Sequence, residues 1–150
     1  MKPLIVLLSA WTLTLIIYKF VHGTWLYARS GRIAMSVMLI FTALGHFLYP
    51  DWMAMMLPDF VPFKQAIIAS TGILEIAAAV GILVPRWRWT TAWLLIGFFI
   101  LILPANIYAA AHNIDYQTGS FEGPGLTYLW FRIPLQILFI VWTYLCCLKN

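Results

Sequence analysis

Charged side chains are scarce in this chain. They make up 9% of its 150 residues, whereas hydrophobic side chains make up 63%, and the mean hydropathy is +0.90. A water-soluble domain is typically about half apolar and about a quarter charged. The composition therefore excludes an ordinary soluble domain and predicts an integral membrane protein, and the length is that of one domain over residues 1–150.

Cysteine is also scarce, with only Cys146 and Cys147. Adjacent cysteines have poor geometry for a structural disulfide, and we predict that they lie at the reducing, cytoplasmic end, so we assign them no redox role. The chain lacks a Walker loop, a G-x-G-x-x-G turn after a strand and a G-x-S-x-G elbow. These absences exclude a chain that holds its own nucleotide or flavin, so any electron donor would be a separate partner protein.

Long stretches without charge divide the chain into five segments, two of them interrupted by one charged residue each. A helix that crosses a bilayer needs roughly 17–25 apolar residues. We therefore predict an all-α fold, a transmembrane bundle of five helices. The predicted helices are 3–21, 33–49, 64–84, 88–111 and 127–147.

The distribution of basic residues predicts the orientation. With the N-terminus outside and the C-terminus cytoplasmic, the cytoplasmic segments hold six basic residues, Lys19, Arg29, Arg32, Arg86, Arg88 and Lys149. The outer segments hold two, Lys2 and Lys64, beside the acids Asp51, Asp59, Asp115 and Glu122. This asymmetry follows the positive-inside rule. The net charge of +4 thus reports topology, and we predict the lipid bilayer rather than nucleic acid as a partner.

Glu75 is the one carboxylate inside the apolar segments, and Arg132 is the one strong cation in similar surroundings. An unpaired charge at the bilayer centre costs about 2.5 kcal/mol or more, so Glu75 needs a partner or a purpose. Two interpretations stay open for the pair: an ion pair that only holds two helices together, or a functional site. Alternatively, Arg132 reaches outward to the headgroups and Glu75 is neutral.

Four further polar side chains are predicted at a similar depth. Glu75 lies eleven residues after Lys64, which is about 16 Å along a helix and near mid-membrane. The others fall in the same outer-to-middle layer and come from three other helices: His46, Asn106, Arg132 and Gln136.

Small residues and prolines accompany this polar layer. Gly72 shares the helix face of Glu75 and would let a neighbouring helix approach closely. Pro104 cannot donate a backbone hydrogen bond, so we expect a kink just before Asn106, and Pro134 acts similarly between Arg132 and Gln136. Such kinked helices often line cavities.

The outer connection Asp51–Pro62 is unusually apolar and rich in methionine. We expect it to lie over the mouth of the bundle as an adaptable cover for a lipophilic site. The alternative is a segment that simply rests on the lipid headgroups.

Four motifs resemble the DoxX-like family of small membrane proteins: Gly45-His46-Phe47, Ser70-x-Gly72-x-x-Glu75, Pro104-Ala105-Asn106-Ile107-Tyr108 and Phe131-Arg132-Ile133-Pro134-Leu135-Gln136. The resemblance covers about Ile33–Leu145 in the family's order and spacing. The usual member is a four-helix bundle, so the first helix here is an addition. The resemblance implies a bacterial inner membrane and a quinone-linked or redox-associated role, although most members have no established activity.

The residues and the resemblance together suggest a pocket that binds a quinone or a similar lipophile, with no covalently bound cofactor. Glu75 and His46 would handle protons as the candidate catalytic residues. The candidate ligand-binding residues are Arg132, Asn106, Gln136 and Tyr108. If the chain is part of an enzyme, it would be a subunit of a quinone-linked oxidoreductase that acts with a separate electron-donating partner.

Other interpretations remain open. His46 could instead satisfy a neighbouring helix, and Asn106 and Gln136 could serve as interhelical hydrogen bonds. We predict no metal site, because the histidines lack the spacing of metal ligands. The whole chain could also be a non-catalytic assembly or maturation factor. A small transporter is the third alternative, and it would call for a homo-oligomer.

Overall fold

A computed structural model of the chain describes residues 2–114, 123 and 125–149, and all regular structure in these ranges is helical. The elements in order are α1 (Lys2–His22), α2 (Tyr27–Leu48), α3 (Pro50–Ala54), α4 (Lys64–Gly81), α5 (Arg88–Leu101), α6 (Leu103–Ala111) and α7 (Thr127–Thr143), which continues as a π-helical turn over Tyr144–Leu148. Asp115 and Glu122, predicted as acids of an outer segment, lie outside the described residues.

Five helical segments are long and apolar enough to cross a membrane, and two of them combine adjacent elements: Lys2–His22, Tyr27–Leu48, Lys64–Gly81, Arg88–Ala111 and Thr127–Leu148. The predictions of an all-α fold and of five such helices are confirmed. These features indicate a multi-pass membrane protein.

The boundaries of two helices differ from the predicted ones. The second helix begins at Tyr27 rather than residue 33, because Arg29 and Arg32 continue the helix instead of ending it. Arg32 Nη1 donates to the carbonyl of Cys146 at 3.0 Å, so the guanidinium hydrogen-bonds the backbone of the π-helical turn that follows α7. The third helix ends at Gly81 rather than residue 84.

Four helices form a ring, in which α2 contacts α4, α4 contacts α5, α5 contacts α7, and α7 with its π-helical turn returns to α2. The centre of the ring is filled by large apolar side chains, among them Met38, Leu39, Leu95, Phe99 and Phe139. Helix α1 packs along α2 outside the ring and reaches the last helix through an edge-to-face contact between Trp11 and Trp142, whose ring centroids are 5.1 Å apart.

The fourth membrane segment is broken at Ile102, between α5 and α6. Pro104 lies in the first turn of α6, where its missing N–H is tolerated. The predicted kink before Asn106 is therefore confirmed. By contrast, Pro134 lies inside α7, which continues through it.

Candidate functional site

The site begins with the close approach of α2 and α4. A Cβ atom added to Gly72 would lie 2.9 Å from the Cβ of His46, so only glycine fits this contact without a shift. Farther along the same interface, the buried hydroxyl of Ser36 donates to the carbonyl of Ala79 at 2.8 Å. The predicted role of Gly72 is confirmed, because its missing side chain brings the imidazole of α2 against α4.

His46 bridges two side chains of α4. Its Nδ1 lies 3.1 Å from Thr71 Oγ1, and its Nε2 lies 3.5 Å from Glu75 Oε1. Thr71 and Glu75 are four residues apart and therefore share one face of the helix. Glu75 is only 6% exposed and His46 16% exposed, so the pair is largely shielded.

The pairing of Glu75 differs from the predicted one. Among the described residues its ion-pair partner is His46, and Arg132 makes no ion pair with it. The reason is the order of the ring: α4 has α2 and α5 as neighbours, whereas α7 lies across the bundle. Of the interpretations left open for Glu75 and Arg132, the ion pair between them is wrong.

The two amides behave differently. Gln136 Nε2 donates to the carbonyl of Phe99, which joins α7 to α5. Asn106 instead turns back onto its own helix, where its Nδ2 donates to the carbonyl of Ile102 at 3.1 Å. The interhelical interpretation thus holds for Gln136 and is wrong for Asn106, because the Asn106 amide donates to the carbonyl one turn earlier in its own membrane segment.

A cavity of about 410 Å³ brings the predicted residues together. Its polar lining includes all five side chains of the predicted layer, His46, Glu75, Asn106, Arg132 and Gln136, and also Thr71. Much of its remaining wall is aromatic or thioether, from residues such as Phe41, Met53, Met56, Phe98, Phe99 and Phe139. A cavity of this size, apolar with a few convergent polar groups, is typical of a small-molecule site.

Tyr108 is the predicted ligand-binding residue that the structure places elsewhere. It is not among the described residues that line the cavity. Its ring lies against His112, with centroids 4.1 Å apart. The aromatic side chain two residues beyond Asn106 therefore packs with His112 rather than in this site.

The apolar connection Asp51–Pro62 does cover the cavity. Met53 of α3 and the following Met56 and Leu57 are all lining residues. Two polar contacts fix this cover to the start of α4: Gln65 Nε2 donates to Asp51, and Lys64 Nζ lies 3.0 Å from Asp59 Oδ1. The predicted position over the mouth is confirmed, since the segment forms part of the wall.

Two polar atoms of the lining are buried and have no hydrogen-bond partner among the described residues. They are Glu75 Oε2 and Arg132 Nε. Buried polar groups in proteins are nearly always paired, because an unpaired one costs about 1–3 kcal/mol. Glu75 and Arg132 both line the same cavity, so a rotation of either side chain would bring its unpaired atom to a ligand with matching polar groups.

Thr71 is the site residue that sequence reasoning missed. The sequence placed it on the face of Glu75 only as a small group that aids helix packing. Its spacing of four residues before a buried acid was the available signal, because a hydroxyl at that position can reach whatever partners the acid.

The fold and the cavity together define the class: a small helical membrane protein with a partly polar cavity inside its bundle. The chain belongs to a family described as a domain of unknown function, DUF8561, whose model matches residues 35–147. The match covers the ring from within α2 to the π-helical turn and leaves α1 outside. Comparison with curated proteins and with solved structures gave no match.

Proposed function

We propose that this protein binds a quinone or a similar lipophile in the cavity and serves as a membrane subunit of a redox system. The observation that supports this most strongly is the cavity itself, in which residues with unpaired buried polar atoms line a space whose other walls are mainly apolar. An aromatic ring with polar oxygens and an apolar tail matches both parts of that lining.

The proposed orientation places the cavity toward the outer leaflet of a bacterial inner membrane. The cavity is lined by the start of α1, the end of α2, the start of α4 and the start of α7, so it lies at one end of the bundle. Basic residues predominate at the other end, which supports a cytoplasmic position for that end. The DoxX-like resemblance remains a prediction that agrees with this proposal.

His46 and Glu75 are proposed to supply protons. Reduction of a quinone to a quinol takes up two electrons and two protons, so a quinone site needs a proton source beside the ring oxygens. The imidazole–carboxyl pair, at 3.5 Å, can hold and pass on a proton. The electrons would come from a separate redox protein, because this chain has no motif for a bound nucleotide or flavin.

The test is direct binding. Protein purified in lipid nanodiscs should retain a lipophile that mass spectrometry identifies, and it should bind added decylbenzoquinone. Ala105 lines the cavity, so Ala105→Phe should fill the space and weaken binding by at least about tenfold, which corresponds to about 1.4 kcal/mol.

The matched control is Ala77→Phe, because Ala77 is exposed on α4 and is not a lining residue. It should bind like the unmodified protein. If neither a native lipophile nor the added quinone binds, or if both phenylalanine variants behave alike, the proposed function is wrong.

A further inference from the structure

The hydrogen bonds around His46 fix where protons lie in the site. Thr71 Oγ1 is 2.7 Å from the carbonyl of Ile68, and a carbonyl can only accept, so the hydroxyl donates its hydrogen there. The same hydroxyl oxygen is 3.1 Å from His46 Nδ1 and has only lone pairs left. His46 Nδ1 must therefore carry a hydrogen and donate it to Thr71.

This arrangement determines what His46 offers to Glu75. With a hydrogen on Nδ1, the ring either accepts at Nε2 from a neutral Glu75 or donates from Nε2 to an ionised one. We assign the shared proton in both cases to the contact between Nε2 and Oε1, which are 3.5 Å apart. With the proton assigned there, Oε2 is left as a hydrogen-bond acceptor in both states.

A ligand in the cavity therefore has one unpaired acceptor and one unpaired donor to satisfy. Glu75 Oε2 accepts and the N–H at Arg132 Nε donates, and both atoms are buried without a partner among the described residues. A ligand that carries only carbonyl oxygens can satisfy Arg132 but would face Glu75 Oε2 lone pair to lone pair. A hydroxylated ligand can satisfy both, because a hydroxyl group donates and accepts.

We propose that the cavity selects a lipophile with a hydroxyl group at its polar end, which donates its hydrogen to Glu75 Oε2 while an oxygen of the ligand accepts from Arg132 Nε. This inference rests on the proposed function and makes it more specific. For a quinone couple it means that the reduced form, the quinol, is the form that the site binds more tightly.

The experiment compares decylhydroquinone with decylbenzoquinone, which have similar shapes and differ in the hydrogens of the two ring oxygens. Binding is measured under anaerobic conditions to the purified protein in nanodiscs. We expect the hydroquinone to bind about tenfold more tightly, the factor that one unsatisfied buried acceptor typically imposes. A redox titration of the bound couple should then show a midpoint potential about 30 mV above that of the free couple, since tenfold corresponds to about 30 mV for two electrons.

Two variants of Glu75 test the cause. Glu75→Met removes the acceptor and should reduce the ratio of the two affinities to near one. Glu75→Gln should keep most of the preference, because His46 Nε2 can accept from the new amide N–H, which leaves the amide oxygen facing the ligand.

The possible outcomes separate the two proposals. If both compounds bind with equal affinity, or if the quinone binds more tightly, the selectivity for a hydroxyl group is wrong and the proposed lipophile site stands. If Glu75→Met keeps the tenfold preference, the assignment of the acceptor to Glu75 is wrong. If neither compound binds, the proposed function fails, and this inference fails with it.

Discussion

At the scale of single residues, the site is organised by Thr71 rather than by a pair of opposite charges. The hydroxyl has one hydrogen, and its contact with the Ile68 carbonyl uses it. The imidazole that bonds to the remaining lone pair is thereby held in one tautomer, as a second hydrogen-bond partner commonly does for histidine. The neutral side chain of Thr71 thus determines which nitrogen of His46 carries a hydrogen, and His46 in turn determines what is offered to Glu75.

We predict that Thr71→Val releases this constraint. Valine has nearly the shape of threonine but offers no lone pair, so His46 Nδ1–H would lose its partner at a cost of about 1–3 kcal/mol. Nitrogen NMR of labelled histidine should show a protonated Nδ1 in the unmodified protein and a shift toward the Nε2–H tautomer in the variant.

Thr42→Val is the control for that measurement. The Thr42 hydroxyl also lines the cavity, yet it donates within its own helix, toward the carbonyls of Met38 and Leu39. The His46 signals should stay unchanged in this variant. An unprotonated Nδ1 in the unmodified protein would refute the assignment of the tautomer.

At the scale of helices, the geometry of the site depends on how closely α2 and α4 pack. Glycine at position 72 lets the backbone of α4 come within van der Waals distance of His46, and the glycine hydrogen occupies space where a methyl group would clash. Without strong hydrophobic attraction between helices in lipid, such close packing is a main source of helix association.

Gly72→Ala should therefore lower the free energy of unfolding by about 1–3 kcal/mol, the usual cost of overpacking, and should weaken ligand binding as His46 moves from Glu75. Gly97→Ala is the matched control, because a Cβ at Gly97 would meet nothing within 4 Å. Denaturant unfolding in detergent should show a loss for the first variant and a change of less than about 1 kcal/mol for the second. Equal losses would contradict the proposed packing role.

The sequence predicted individual elements better than it predicted their neighbours. The length of an apolar stretch and the effect of a proline depend only on the local sequence. The five spans and the break before Asn106 could therefore be predicted from the sequence alone. The partner of Glu75 could not, because it depends on which helices are adjacent in the ring. Charge alone predicted Arg132 as the partner of Glu75. The order of the helices in the ring places His46 next to Glu75 instead.

At the scale of the whole molecule, the two ends of the bundle differ in character. The cavity and its methionine-rich cover lie at one end, and the segments at the other end carry most of the basic residues. Such an asymmetry determines which end stays in the cytoplasm during insertion. The orientation and the position of the cavity are therefore linked.

Cysteine labelling in intact bacterial cells should test that orientation. Phe60 is 85% exposed beside the cavity cover, and Trp87 is 58% exposed at the opposite end. With a membrane-impermeant maleimide, Phe60→Cys should label in intact cells and Trp87→Cys only after lysis. The unmodified chain, whose own Cys146 and Cys147 lie at the Trp87 end, is the background control. The reverse pattern would invert the proposed topology and place the cavity on the cytoplasmic side.

The order in which the helices occur also bears on how the protein is made. His46, Thr71 and Glu75 all lie on α2 and α4, so they can meet while the ribosome is still synthesising the rest of the chain. Arg132 and Gln136 belong to α7, which follows the other described helices along the chain. The contact between Glu75 and His46 can thus form before α7 is made, and the proposed binding site becomes complete only when α7 packs into the ring. A nascent chain paused before α7 would already have a partner for its intramembrane acid, yet it would lack two of the proposed ligand-binding residues.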